Sequence, residues 1–361
     1  MDQQQELESK RREVRDEILA MKEKVAPALI FNLLRHIFPK FKSTQNPLFW
    51  ILNIIFINFV GLAPGFLVSI LLNEASSTTE LWLIWLVGIE LSISALLATY
   101  VVVRNILNEI SYGILGKMSN PESLSELLNW IHASWSFETV LSYVLPISII
   151  WIFLSAGGVS YSLGKFIGFG PSFTTIPTGF MMGTSFYVVL WIMRLSLHLG
   201  NYQYDLNNFA PANSEIIERL SKMFNDYLYV AAMFIAASTL LSSFVRFGSI
   251  VGYPFVLAGW TMITTQFIIN RSTVNKIVSR AKWETLNKLQ LQINELQKTG
   301  NLAEKETAEA HLRLTDIYQK ILVTRSTASE SKGFLNFFSQ MMLPLLGLLL
   351  GNLDKLLKFF P

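Results

Sequence analysis

The chain has 361 residues, of which 51% are hydrophobic and 15% are charged, and its formal net charge is +3. Soluble domains carry about 25% charged residues, so this composition excludes an ordinary soluble or disordered protein and indicates a membrane protein. The chain contains no cysteine, which excludes disulfide scaffolds, cysteine-ligated metal sites and thiol enzymes. The small net charge is typical of a protein that does not bind nucleic acid.

Charge is distributed unevenly along the chain. Residues 48–270 are poor in charge, whereas the flanking residues 1–47 and 271–332 are rich in it. This pattern is typical of spanning helices between water-facing segments, so we expect an all-α, polytopic membrane helix bundle. The last segment, 333–361, is apolar again. We expect an interfacial or re-entrant helix there, with a spanning helix as the alternative.

The N-terminal segment begins with charged residues and continues into a basic amphipathic stretch. Within residues 28–41, apolar side chains recur at helical spacing, with Arg35 and Lys40 between them. This pattern predicts a helix on the anionic inner face of a membrane, or a linker helix that packs on the bundle.

Six stretches of the chain are long and apolar enough to cross a membrane, which takes about 20 residues of helix. If the chain crosses the membrane six times, most of its Lys and Arg residues lie in the segments on the same side as the N-terminus. Cytoplasmic segments carry such an excess of Lys and Arg. We therefore predict six spans in the cell inner membrane, with both termini in the cytoplasm. The predicted spans are residues 48–72, 81–103, 139–163, 173–193, 227–245 and 250–269.

Two helix starts are predicted between the spans. Asn120, Pro121 and Glu122 combine a capping residue, a first-turn proline and an acid that favours the helix dipole. The apolar stripe that follows predicts a helix lying in the membrane interface. The second start, at Asn213, precedes oppositely charged residues at i,i+4 spacing. It predicts that the fifth span begins as a polar helix and continues into the membrane.

Residues 271–332 are predicted to form a cytoplasmic antiparallel helical hairpin. Two stretches with apolar residues at three- and four-residue spacing, typical of a coiled-coil seam, flank a turn at Gly300. The seam could pack on itself, on a second copy of the chain, or on a cytosolic protein. The candidate residues for partner binding are Leu286, Leu289, Ile293, Leu314, Ile317 and Ile321.

No pattern in the sequence predicts catalysis. The histidines, His36, His132, His198 and His311, are not spaced as metal ligands, and neither an HExxH nor a GxSxG motif is present. We therefore predict a protein that is not an enzyme and that holds no metal and no cofactor.

Glu90 is the most informative single residue, because it lies near the middle of the second predicted span. An ionised carboxylate there costs several kcal/mol, so such residues usually face a bundle interior or water and mark a pathway. The alternative is a protonated carboxyl group that binds a Ser or Thr on a neighbouring span. Weaker polar signals of the same kind are Asn53, Asn58, Thr264, Thr265 and Gln266.

Three functions are compatible with this layout. The first is an oligomeric channel or membrane effector that passes ions or small solutes, and Glu90 favours it. The second is a membrane-embedded scaffold or signalling subunit that binds a cytosolic partner through residues 271–332. The third is a secondary transporter. The expected partners are the lipid bilayer, further copies of the chain and a cytosolic protein.

Overall fold

The computed structural model of the chain describes residues 3–24, 55, 59, 62–72, 79–163, 168–244, 249–299, 305–324 and 342. In this part of the chain the regular elements are helices, and one isolated antiparallel bridge joins Met118 to Tyr204. The predicted all-α class is confirmed for the described residues.

The described residues form nine α-helices. A π turn, Ile110–Ile114, and a 3-10 turn, Leu115–Lys117, extend the third helix, and a 3-10 turn, Pro211–Asn213, precedes the seventh. The helices are α1 (Gln3–Lys24), α2 (Leu62–Leu71), α3 (Thr79–Glu109), α4 (Pro121–Ser134), α5 (Phe137–Leu163), α6 (Phe169–Leu199), α7 (Glu215–Phe244), α8 (Ser249–Thr299) and α9 (Lys305–Val323).

Three helical stretches are long and apolar enough to cross a membrane. They are Gly88–Lys117, Phe137–Gly158 and Ser172–Leu199, and they overlap the second, third and fourth predicted spans. These three apolar helices are compatible with a membrane protein. On α5, for example, the side chain of Phe153 is 74% exposed. Lipid accommodates such an apolar surface, whereas water disfavours a large one.

The remaining predicted spans stay predictions. Residues 48–72, 227–245 and 250–269 each include residues or side chains that the structure does not describe. The predicted interfacial helices at 28–41 and 333–361 also lie outside the described residues, apart from Met342.

Two glycines allow α6 to approach α5 closely. A Cβ atom on Gly183 would lie 2.9 Å from the carbonyl oxygen of Val144, and one on Gly179 would lie 3.0 Å from that of Ser148. The glycines are four residues apart, so they lie on one face of α6. This is the small-residue spacing that favours close helix packing within membranes.

The charged segments of the described chain meet at one end of the bundle. We call this region the charged layer, and it comprises α1, α4 and residues 104–119, 194–222 and 271–280. Its interior is apolar, because Val14 and Ile18 of α1 pack in the same buried cluster as Leu127 of α4 and Trp191 of α6. The layer is therefore a folded part of the bundle.

Both predicted helix starts fit the structure. The Asn120 side chain accepts a hydrogen bond of 2.9 Å from the backbone N–H of Glu122, and α4 begins at Pro121 as predicted. Its apolar stripe packs in the protein core. The seventh helix begins at Glu215, two residues after Asn213, and continues without interruption past Tyr227. The polar residues that precede the predicted fifth span and the apolar residues that follow Tyr227 therefore belong to the same helix.

Candidate functional site

An ion-pair network at the centre of the charged layer joins α3 to α7. Arg219 Nη1 lies 3.0 Å from Glu109 Oε1, and its Nη2 lies 2.9 Å from Glu215 Oε1. Lys117 Nζ approaches Glu215 Oε2 at 3.6 Å. The hydrogen bond and charge of Arg219, with the charge of Lys117, hold the pKa of Glu215 below its ordinary value. The network therefore keeps Glu215 ionised to a more acidic pH than an isolated glutamate.

Two arginines attach α1 to the end of α3. Arg11 Nη2 donates to the carbonyl of Met118 at 2.7 Å, and Arg15 Nε donates to the carbonyl of Ser111 at 3.1 Å. The Arg15 guanidinium also lies over the Tyr112 ring, 5.8 Å from its centroid. Ser111 and Tyr112 belong to the π turn, and such turns occur frequently at functional sites.

The connection between α6 and α7 completes the layer on its other side. The Asp205 N–H donates to the Lys117 carbonyl at 2.7 Å. Lys276 Nζ of α8 donates to the Asn201 side chain at 2.8 Å, and Arg280 Nη1 donates to the Asn201 carbonyl at 2.9 Å. These bonds fix α8 against the connection where it passes through the charged layer.

Aromatic side chains fill the space between α4 and α6 beside the charged layer. The Trp135 ring centroid lies 5.3 Å from that of Trp191 and 5.7 Å from that of Tyr187. Trp130 packs against His198 at 4.6 Å, so His198 is half-buried rather than solvated. Tryptophan and tyrosine are enriched where helices leave a membrane, and the cluster fits such a boundary.

A cavity of about 100 Å³ lies between α3, α6, α7 and α8. Its wall is mostly apolar, and its polar members are Thr99, Ser185, Tyr227 and Gln266. Conduction of ions requires polar groups or controlled wetting along a whole path. The cavity is suited instead to an apolar molecule.

The structure does not gather the predicted pathway residues into one site. Gln266 is buried and lines the cavity, Thr264 is half-buried, and Thr265 is exposed. The side chain of Glu90 is exposed on α3. Asn53 and Asn58 lie outside the part of the chain that the structure describes.

Residues 281–299 of α8, with α9 and Thr324, form a helix pair that we call the arm. Lys282 Nζ donates to the carbonyls of Leu322 and Thr324, at 2.9 and 2.6 Å, and Gln297 Nε2 lies 3.0 Å from His311 Nε2. The two helices therefore run in opposite directions. Among the predicted seam residues, Leu286, Ile293 and Ile321 are buried, and Leu289, Leu314 and Ile317 are half-buried.

The apolar side chains that the arm exposes are a different set from the predicted seam. Leu291 of α8 is 63% exposed and Leu312 of α9 is 67% exposed. Trp283 and Val323 are also exposed. The seam residues pack between the two helices, and these outward residues lie on the surface of the arm.

Three features of the site were missed at the level of the sequence, although two of them carried a signal. Gly179 and Gly183 have the small-residue spacing of packed membrane helices. Gln266 was a predicted candidate, but its pairing with Asn270, four residues away on the same helix face, was missed. The contact of Arg15 with α3 joins distant segments and has no local sequence signal.

Comparison with protein families, curated proteins and solved structures finds no match to this chain.

Proposed function

We propose that the chain is a multi-pass membrane protein that acts as a membrane-embedded scaffold or signalling subunit. In this proposal the arm binds a cytosolic protein, and no catalytic step is involved. The observation that carries it is the continuity of α8, which runs from Ser249 to Thr299 without interruption. One rigid helix thus links the cavity, the charged layer and the arm.

The length of α8 supports this proposal. From Arg271 to Thr299 the helix rises about 42 Å, at about 1.5 Å per residue. Its first part is fixed in the charged layer, where Val274 and Val278 are buried. The last part of α8 pairs with α9, and the pair exposes Leu291 of α8 and Leu312 of α9 on its outward faces. A stiff element of this kind can hold a partner at a defined distance from the membrane.

The partner-binding experiment uses the full chain with an affinity tag, expressed in cells and cross-linked before purification. We expect a cytosolic protein whose recovery falls at least tenfold in Leu291→Lys or Leu312→Lys. The matched control is Gln290→Lys, because Gln290 is exposed on the same helix. Its recovery should remain at the wild-type level.

The proposal is contradicted if no cytosolic protein is recovered. It is also contradicted if recovery is the same in all three variants. Circular dichroism of each purified variant checks that the helix content is unchanged, so that a loss of binding reports on the arm's surface.

The proposed orientation can be tested separately, because the chain has no cysteine of its own. Asn201→Cys places a thiol in the charged layer, and Lys165→Cys places one in the opposite connection between predicted spans. With the charged layer in the cytoplasm, an impermeant maleimide should label only Lys165→Cys in intact cells. Labelling of Asn201→Cys alone would reverse the orientation.

A second candidate function, an oligomeric channel, is favoured by the exposure of Glu90. Glu90 lies 14 residues before Arg104 on α3, which is about 21 Å along the helix axis. If Arg104 marks the membrane boundary, the Glu90 carboxylate lies in the outer third of the hydrocarbon layer. Lipid is a costly environment for it, so contact with a second copy would lower its free energy.

Cross-linking and flux measurements test this candidate. In Glu90→Cys, oxidation should produce disulfide-linked dimers in the membrane if the residue faces another copy. Phe153→Cys is the control, because Phe153 is exposed on a different helix, α5. Ion flux in liposomes should then change in selectivity in Glu90→Gln. Equal cross-linking at both positions, or the absence of flux, would contradict the channel function.

A further inference from the structure

Small residues of three helices line the cavity between α3, α6, α7 and α8. They are Ala95 and Ala98 of α3, Ala231 of α7 and Gly259 of α8. Protein interiors are packed as densely as organic crystals, and voids larger than a water molecule are few. The atoms around an empty void lose their dispersion contacts on that side. A molecule that fills the volume of about 100 Å³ would restore those contacts.

The polar side chains of the wall are bonded within the protein. Thr99 Oγ1 and Ser185 Oγ each donate to a carbonyl of their own helix, at 2.9 and 3.0 Å. Gln266 Nε2 donates to Asn270 Oδ1 at 2.6 Å. These donors are therefore not left for a polar guest, and the rest of the wall is apolar. Apolar cavities stay free of water and bind apolar molecules, so the occupant that fits is a hydrocarbon.

The cavity opens on the side of α7, at the depth of the hydrocarbon layer. Val230 lines it and is 36% exposed, and Phe234, one turn further, lines it and is half-buried. Val230 lies eight residues after Lys222, about 12 Å along α7. On α3, Ala95 lies nine residues before Arg104, about 13.5 Å along the axis. In a hydrocarbon layer about 30 Å thick, acyl chains surround an opening at this distance from the charged residues.

We propose that this cavity binds the end of an acyl chain of a bilayer phospholipid. The inference rests on the membrane embedding in the proposed function, and it adds a lipid site to that function. The headgroup lies at the level of the charged layer, and the chain enters beside Val230. The cavity of about 100 Å³ is smaller than the roughly 150 Å³ cavity that accommodates benzene. Only the last carbon atoms of the chain therefore lie inside, and the rest stays in the bilayer.

Photolabelling in a bilayer tests the proposal. The full chain is reconstituted in nanodiscs of phosphatidylcholine with a diazirine at the end of one acyl chain, irradiated, digested and analysed by tandem mass spectrometry. Met182 of α6 and Ile263 of α8 line the cavity and are 4% and 2% exposed, so lipid around the protein does not reach them. Phe153 is exposed on α5 and reports contact with the surrounding lipid. We expect label at all three residues.

A variant that fills the cavity locates the bound chain, and a matched control accompanies it. Ala95→Leu adds three carbon atoms to the buried wall, and it should lower the label at Met182 and Ile263 at least tenfold with Phe153 unchanged. Ser94 is exposed on the same helix, so Ser94→Leu should keep the native label at all three residues. Circular dichroism and size-exclusion chromatography check that each variant is folded.

Label at Phe153 without label at Met182 and Ile263 in the native chain overturns the acyl-chain site and leaves the membrane embedding intact. Absence of label at all three residues contradicts both. The site is also overturned if folded Ala95→Leu keeps the full label at the two buried residues, or if Ser94→Leu loses it to the same extent. The native chain decides the question even where a variant does not fold.

Discussion

Arg219 Nη1 of α7 lies 3.0 Å from Glu109 Oε1 of α3, and this contact joins two segments that are 110 residues apart in sequence. The same guanidinium group binds Glu215 at 2.9 Å. Tyr227 and Leu228, which line the cavity, lie about two turns further along α7. Arg219 and these two cavity residues therefore lie on one continuous helix.

Removing either partner of this pair should destabilise the chain, and the two effects should not add. In Arg219→Gln, the carboxylates of Glu109 and Glu215 lose the guanidinium group with which both form ion pairs. In Glu109→Gln, Arg219 keeps its ion pair with Glu215. We expect the melting midpoint to fall in each variant, and to fall by less than the sum in the double variant. The measurement is thermal unfolding in nanodiscs. Lys222→Gln, exposed on the same helix, should melt as the native chain does, and strictly additive shifts would contradict the coupling.

The ionisation of Glu215 predicts a loss of stability in acid. Arg219 and Lys117 lower the pKa of Glu215 below its ordinary value of 4.5. A carboxyl group with a lowered pKa in the folded state stabilises that state above the unfolded pKa, and the contribution is lost as the pH falls through the folded pKa. We therefore expect the melting midpoint to decline below pH 4.5, and to decline less steeply in Glu215→Gln. Identical acid slopes for the two proteins would show that other carboxyl groups are responsible.

Substitution by alanine should lower the free energy of unfolding at Gly183 of α6 but not at Gly157 of the adjacent helix α5. A Cβ atom at Gly183 would lie 2.9 Å from the Val144 carbonyl oxygen, whereas one at Gly157 has no atom within 4 Å. Gly183→Ala should lower the free energy of unfolding by about 1–3 kcal/mol through overpacking. Gly157→Ala should leave it unchanged or raise it by up to about 1 kcal/mol. Unfolding in mixed detergent measures both, and equal effects would contradict the packing of α5 on α6.

The helix starts were predictable from the sequence because their determinants are local. Asn120 caps α4 through a bond to a residue two positions away, and Glu215 binds Arg219 within one turn. Such contacts form within a short segment, so residue type and spacing are enough to indicate them. The apolar stretches of α5 and α6 were recognisable for the same reason, since length and hydropathy are properties of one segment.

The faces of these helices were not predictable, because a neighbour distant in sequence decides which side is covered. For Glu90 the sequence left a bundle interior, water and a neighbouring Ser or Thr open as surroundings, and the structure places its side chain on the exposed side of α3. In α1, the high charge concealed an apolar stripe of Val14, Ile18 and Met21, which packs in the core. Arg15 binds a carbonyl of the π turn, and no spacing within either segment encodes that contact.

Lys282 should hold the end of α9 in place. It is 6% exposed, and its Nζ donates to the carbonyls of Leu322 and Thr324 at 2.9 and 2.6 Å. Carbonyl groups at a helix C-terminus lack partners within the helix, and a cation there is favourable. Lys282→Met keeps the shape of the side chain but removes its donors, and it should cost about 1.5–3 kcal/mol.

Hydrogen–deuterium exchange can localise this effect within the arm. In Lys282→Met we expect faster exchange at residues 318–324, with α8 protected as in the native chain, because Leu286 and Ile293 still pack in the pair. Lys288→Met is the control, since Lys288 is exposed on the same helix, and its exchange should be unchanged. Native exchange rates at 318–324 would exclude this role of Lys282. Loss of protection along all of α9 would instead show that the helix pair opens as one cooperative unit.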